Sequence, residues 1–330
     1  MNIKHLVIEN FKSIERIELE NPNPFTVFVG PNGSGKSNIF EALEFERRFW
    51  KTPPFDALRE FGGMKNIQNR NRTDLDSFFY EFKLEPDSHF IRTILNYKEE
   101  KFSGGWNEIN GLDGERKLSD RINYDNSQFN KRFSRIFVGN TKPTRVYYQD
   151  DSLLNFAATN LEPVLKRILQ NPVLRDEIFE WLDLFVPGFK AVEIDDRNEL
   201  HWFEDHGVDY FTKDLISDGT YNILALLTAV YQSDDKPQFL CIEEPENGLH
   251  PQVAKELVDF FRIMCEERGH YIWLNTHSQS MVSRLTADEM IVVEKKQGAT
   301  QTTQYKGRDF HGLRMDEALM MNVLGAGLAW

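Results

Sequence analysis

The stretch GPNGSGKS at residues 30–37 constrains the fold more than any other part of the sequence. It follows the apolar run FTVFV (25–29) and precedes NIFEALEFERRF (38–49), so it joins a strand end, a glycine-rich turn and a helix start. The glycines let the backbone turn its N–H groups inward around an anion, and the helix adds the positive end of its dipole there. This context predicts a phosphate-binding loop, with Asn32, Gly33, Ser34, Gly35, Lys36, Ser37 and Asn38 as its residues. Lys36 is expected on the outer phosphates of a nucleotide and Ser37 on Mg²⁺. A plain glycine turn with an exposed lysine would need the motif, the strand and the helix to coincide by chance.

A chain of 330 residues can bury a sizeable core as one large domain or two modest ones. The first eleven residues are too polar for a secretion signal, and no apolar run approaches the ~20 residues of a spanning helix. Two cysteines, Cys241 and Cys265, offer neither a disulfide framework nor a zinc site. A cytoplasmic protein without membrane contact is expected. The net charge of −13 argues against broad wrapping of nucleic acid. The acidity is uneven, however. Residues 131–145 (KRFSRIFVGNTKPTR) hold five basic residues and no acidic one, and residues 62–72 are similar, so each is either a DNA-phosphate patch or a solvated face.

The periodicity predicts strands at 3–8 and in the following ENFKSIERIELE, then strand, loop and helix around the phosphate motif. Residues 51–72 read mostly as loop because of Pro53, Pro54, Gly62 and Gly63. Strands are expected at 77–84 and 90–97, a polar surface insertion at about 98–132, and a strand at 144–148 ending at Gln149. Helical spacing fills 160–185, strand-like alternation 191–203, and the apolar helix YNILALLTAVYQ follows Ser217, which is placed to cap it.

FLCI (239–242) is a short apolar strand of the kind buried on both faces of a parallel sheet. It delivers Glu243 and Glu244 at its carboxyl end, where open α/β sheets bind ligands. Adjacent carboxylates there suit nucleotide hydrolysis: Glu243 to hold Mg²⁺ directly or through its water, Glu244 to orient and deprotonate the attacking water. YIWL (271–274) is a second buried strand and leads to His277, within reach of a γ-phosphate. A last strand is expected at 290–293, followed by a polar stretch and an apolar tail.

The order GPNGSGKS, YYQDD, LISDGT, FLCIEEPENGLHP, NTHS resembles the ATP-binding-cassette ATPases of the RecF/SMC kind, including the ATPase part of the OLD-family phage-defence proteins. The opening IENFKSIERIEL is similar to that group too. The resemblance implies an α/β head with a mixed, mostly parallel central sheet, an antiparallel β subdomain and a small helical lobe. The chain would be one ATPase domain, with lobe I at 1–149 and 236–330 and lobe II at 150–235. It implies Gln149 as the glutamine that senses Mg²⁺, with Gln68 the alternative, Glu243 as the metal-side acid, Glu244 as the base and His277 as the switch histidine. Ser217, Asp218 and Gly219 match the signature loop, which in such proteins completes the site of the opposite subunit.

Two departures stand out. Position 243 is Glu where many relatives have Asp, and the signature is SDGT rather than the SGGQ of transport ATPases. The expected protein is thus a homodimeric, ATP- and Mg²⁺-dependent clamp or sensor. It would control an effector such as a nuclease or toxin in phage defence or DNA repair, with DNA a further partner. An ATP-holding scaffold with slow turnover is the alternative, and a transporter subunit fits less well. No coiled coil or nuclease domain is expected.

Overall fold

The computed structural model describes residues 2–69, 77–85, 89–98, 101–102, 132–139, 152–207, 209–321 and 324. The chain opens with the antiparallel pair β1 (Asn2–Phe11) and β2 (Ile14–Glu20). β3 (Phe25–Val29) then runs into the glycine loop and α1 (Lys36–Lys51). Two short helices follow, α2 (Pro54–Glu60) and α3 (Met64–Ile67), where the sequence reads mostly as loop. Pro54 takes the first helical position, where a missing N–H costs nothing, so the proline pair starts a helix instead of breaking the chain.

β4 (Ser77–Glu85), β5 (His89–Lys98) and β6 (Lys101–Phe102) complete an antiparallel sheet of order β2-β1-β4-β5-β6. The rest of the expected insertion, apart from Arg132, and the strand expected at 144–148 with Gln149, lie outside the described residues. β7 (Phe133–Phe137) falls inside the basic stretch and has no counterpart in the sequence reading.

Next come α4 (Leu161–Leu169), α5 (Pro172–Phe185), the hairpin of β8 (Phe189–Ile194) and β9 (Leu200–Glu204), and α6 (Asp218–Tyr231). The remainder is β10 (Phe239–Glu243), α7 (Pro251–Arg268), β11 (Tyr271–Thr276), α8 (Gln279–Val282), β12 (Met290–Lys296), β13 (Ala299–Gln304) and α9 (Met315–Met320). β13 replaces the expected polar stretch: ATQTTQ has little apolar pattern, yet the two-residue turn at Gln297 and Gly298 folds it back along β12.

The central sheet has the order β13-β12-β3-β11-β10-β7. Its pairs are parallel except β12 with β13. The apolar runs in β3, β10 and β11 face hydrophobic layers on both sides. Leu240, Ile242, Ile272 and Leu274 point into a core shared with α4 to α7. Phe239, Cys241, Tyr271 and Trp273 point the other way, into a core with α1 and the β1–β2 hairpin. Alternation at period two thus divides one strand between two cores. The consequence is that the carboxyl ends of β3, β10 and β11 are fixed side by side. The glycine loop, Glu243 and Thr276 lie at those ends.

Candidate active site

The loop is braced from outside. Gly35, at φ 104°, sits so close to β13 that a Cβ there would lie 2.0 Å from Thr300 Oγ1. Thr300 Oγ1 donates to Ser34 O at 2.9 Å, and its backbone N donates to Ser13 O at 2.7 Å. Ser13 Oγ accepts from Asn38 Nδ2 at 2.6 Å. The turn between β1 and β2 therefore grips the first turn of α1. That first turn carries no acidic residue, so nothing on it offsets the positive end of the helix dipole. Asn32 and Gly33 are exposed at the loop tip, while Ser34 and Lys36 are buried. Lys36 Nζ donates to Gly30 O at 2.6 Å and Pro31 O at 3.1 Å. Burial pushes its ammonium below the ordinary value, with Glu244, Glu246 and Glu243 pulling it back.

Two motifs separated by 206 residues meet at one hydrogen bond: Ser37 Oγ donates to Glu243 Oε2 at 2.6 Å. Asn275, at the end of β11, donates from Nδ2 to Ser37 Oγ at 3.4 Å. The Glu244 N–H in turn points at Asn275, at 3.0 Å from its carbonyl and 3.1 Å from its Oδ1. This grip holds Glu244 at φ 47°, a left-handed conformation that costs a non-glycine residue about 1–3 kcal/mol. Strain of that size at the residue expected to act as base is the mark of a positioned group.

His277 stands beside this carboxylate: its Nδ1 lies 3.8 Å from Glu244 Oε1 and 3.8 Å from Glu246 Oε1. Glu246 is a third acid that the sequence reading passed over. It accepts from Thr276 Oγ1 at 2.5 Å and from the His277 N–H at 3.3 Å, and burial raises its carboxyl above the usual value. The signal was present in the spacing Glu244-Pro245-Glu246, two acids either side of a proline that ends the strand.

Arg135 falls in the basic stretch that the sequence leaves as either a DNA-phosphate patch or a solvated face. It is instead buried on β7, next to β10, with Nε donating to Glu243 Oε1 at 2.6 Å and one terminal nitrogen to Glu44 Oε2 at 2.8 Å. Both readings are corrected at this one residue: Arg135 is used internally. Arg132 donates to Pro237 O at 3.1 Å, while Lys131, Lys142 and Arg145 lie outside the described residues.

Ser217 and Asp218 are exposed at the start of α6, and Ser217 caps it by accepting from the Thr220 N–H at 3.0 Å. Gly219 packs on the loop after β10; a Cβ there would lie 2.6 Å from Gly248 O. Asn222 Nδ2 donates to Asn247 O at 2.9 Å, and Asn247 Nδ2 to Glu244 Oε2 at 3.3 Å. Gln149 lies outside the described residues. The alternative, Gln68, lines a cavity of about 560 Å³ with Lys12, Ser13 and Lys295. Among the described residues no helix is long and apolar enough to cross a membrane.

The family described as "AAA domain, putative AbiEii toxin, Type IV TA system" has a model that matches residues 25–283, from β3 through the loop and both acids to α8. The chain belongs to this family. A second model, "RecF/RecN/SMC N terminal domain", matches residues 2–46. The "Chromosome partition protein Smc" of Methanocaldococcus jannaschii is 38% identical over 74 residues, 22% of this chain and 6% of that protein's length. The "DNA replication and repair protein RecF" of Rickettsia felis is 23% identical over 71% of this chain and 68% of its own. An "ATP/GTP phosphatase" of Helicobacter pylori is 22% identical over 91% of this chain and 90% of its own.

Among solved structures, an SMC head bound to the C-winged helix domain of ScpA superposes with a TM-score of 0.64 at 16% identity, covering 97% of this chain and 100% of that one. The SMC head domain of Thermotoga maritima gives 0.57 at 17% identity, over 92% and 99%. The fold and the matching family models place the protein among the ABC-type ATPases of the RecF/SMC group.

Proposed function

We propose that the protein binds ATP with Mg²⁺ and hydrolyses it as a head-to-tail dimer that controls an effector. The observation that carries this is the Ser37–Glu243 hydrogen bond, with Glu244 and His277 alongside it. The donor set fits the metal: a hydroxyl and a carboxylate oxygen at the lip of a phosphate loop are the hard oxygen ligands that Mg²⁺ takes. Ser37 and Glu243 would hold it, with Gln149 as a third contributor. Bound Mg²⁺ supplies neutralisation of charge on the outer phosphates. Lys36 and the loop N–H groups hold those phosphates, and the cavity beside Ser13 is assigned to the nucleoside. Glu244 takes the proton of the attacking water, and His277 contacts the γ-phosphate.

The dimer reading is supported by the signature loop. Ser217 and Asp218 are exposed, and the hydrogen bonds of the Ser217 hydroxyl stay within its own helical turn, so this helix start is free to face a phosphate held by a second copy. Lobe II, at 150–235, would carry that surface, and lobe I, at 1–149 and 236–330, the loop. By analogy with the SMC head bound to ScpA, an effector chain such as a nuclease or toxin would dock on the ATPase, in phage defence or DNA repair, with DNA a further partner. The family's description as a putative toxin favours a second reading, an ATP-holding scaffold in a toxin–antitoxin pair.

Steady-state ATP hydrolysis by the wild type and Glu244→Gln, with and without linear double-stranded DNA, tests the proposal. Turnover lost in the variant supports it. Tight, persistent ATP binding with negligible wild-type turnover favours the scaffold.

A further inference from the structure

A cation buried beside the metal-side acid needs a reason. Arg135 and its partners Glu243 and Glu44 have side chains only 10%, 9% and 13% exposed, and the guanidinium carbon lies 4.7 Å from the Phe156 ring centroid. Desolvation works against the charge, but Glu243 and Glu44 outweigh it and hold the guanidinium above its ordinary value. Arg135 and Lys36 together face four carboxyl groups, Glu44, Glu243, Glu244 and Glu246, so acids outnumber cations around the loop. Arg135 therefore does not cancel the site's affinity for a metal.

What it changes is the number of oxygens on offer. Nε and a terminal nitrogen of Arg135 both contact Glu243 Oε1, while Oε2 accepts from Ser37. Glu243 is thus pinned by one oxygen and presents the other to the loop. A carboxylate with both oxygens free can clamp a cation bidentately, as Ca²⁺ sites commonly use. A carboxylate with one oxygen locked gives a single ligand or a single acceptor for a metal-bound water, which suits the octahedral, water-retaining Mg²⁺. The planar guanidinium fork is suited to locking a carboxylate oxygen in this way; the ammonium of lysine is a rotating point charge.

We propose that Arg135 makes this site selective for Mg²⁺ over Ca²⁺ by holding Glu243 Oε1 out of the metal's reach. The proposal rests on the ATP–metal reading above. It assigns Arg135 a positioning role, exerted through Glu243.

The test is binding of a fluorescent ATP analogue in Mg²⁺ and in Ca²⁺, read as the ratio of the two affinities. The proteins compared are the wild type, Arg135→Lys, and Arg135→Met combined with Glu44→Gln, the second change sparing the fold an uncompensated buried charge. The wild type is expected to favour Mg²⁺, and both variants to lose about tenfold of that preference, about 1.4 kcal/mol of discrimination. Equal weakening with both ions, the ratio unchanged, would make Arg135 structural and overturn the proposal. Absence of any metal-dependent binding by the folded wild type would instead overturn the ATP–metal reading, and this inference with it.

Discussion

Acid should unfold this protein in part through one histidine far from the loop. His270 immediately precedes β11, is 0% exposed, and accepts from the Gln238 N–H through Nδ1 at 3.3 Å. Gln238 is itself committed, its Nε2 donating to Ala229 O at 3.0 Å and Val230 O at 2.6 Å, the last turn of α6. A protonated Nδ1 could not accept that bond, and its charge would have no water. Burial, with the Arg268 charge nearby, accordingly pushes the imidazole down from 6.5 to about 4. The folded state therefore binds the proton less readily than the unfolded chain does. Stability from this group is fully present above the unfolded value and is lost as pH falls toward the folded one. That shift costs about 2 kcal/mol at about pH 5 and about 3 kcal/mol near pH 4. Urea denaturation of the wild type and His270→Gln, from neutrality down to about pH 5, isolates the effect from the many carboxylates that titrate in both. The wild type should lose more stability than the variant by about that amount. Parallel pH profiles would refute the reasoning.

Glu244→Gln should lower ATP turnover by about 10²- to 10⁴-fold while leaving nucleotide binding intact, measured by phosphate release and equilibrium binding. Asn275→Ala removes the Nδ2 donor to Ser37 and the Oδ1 acceptor of the Glu244 N–H but keeps the backbone carbonyl that also accepts it, so turnover should fall with little change in nucleotide affinity; an unchanged rate would mean that the carbonyl alone holds Glu244 in its strained conformation. Gly219→Ala places a methyl 2.6 Å from Gly248 O, a backbone atom that cannot swing aside as a flexible side chain would, and should cost about 1–3 kcal/mol in urea unfolding. Asp218→Arg at the exposed start of α6 should abolish ATP-dependent association in sedimentation while single-copy ATP binding persists; association like that of the wild type would place the dimer face elsewhere.

What could be read from the residues is what is encoded locally. The glycine loop carries its own backbone instructions, and buried parallel strands announce themselves as unbroken apolar runs; hence β3, β10 and β11, and the placing of Glu243, Glu244 and His277 at neighbouring strand ends. α2 was hidden because a proline pair reads equally as a break or as a helix start, and the difference lies in which packing partner the next turn meets. β13 was hidden because an edge strand with one partner needs no apolar face, only a turn that returns it. Arg135 shows the limit most clearly. FSRIF sets a serine and a charge side by side between apolar residues, with no period-two alternation to announce a strand, and such a charge is solvated unless another segment brings acids to meet it. Those acids come from residues 44 and 243, so no window around Arg135 could contain the reason it is buried. The layout of this site is therefore legible motif by motif. Which groups restrain the motifs is a property of the sheet order that brings β7 beside β10.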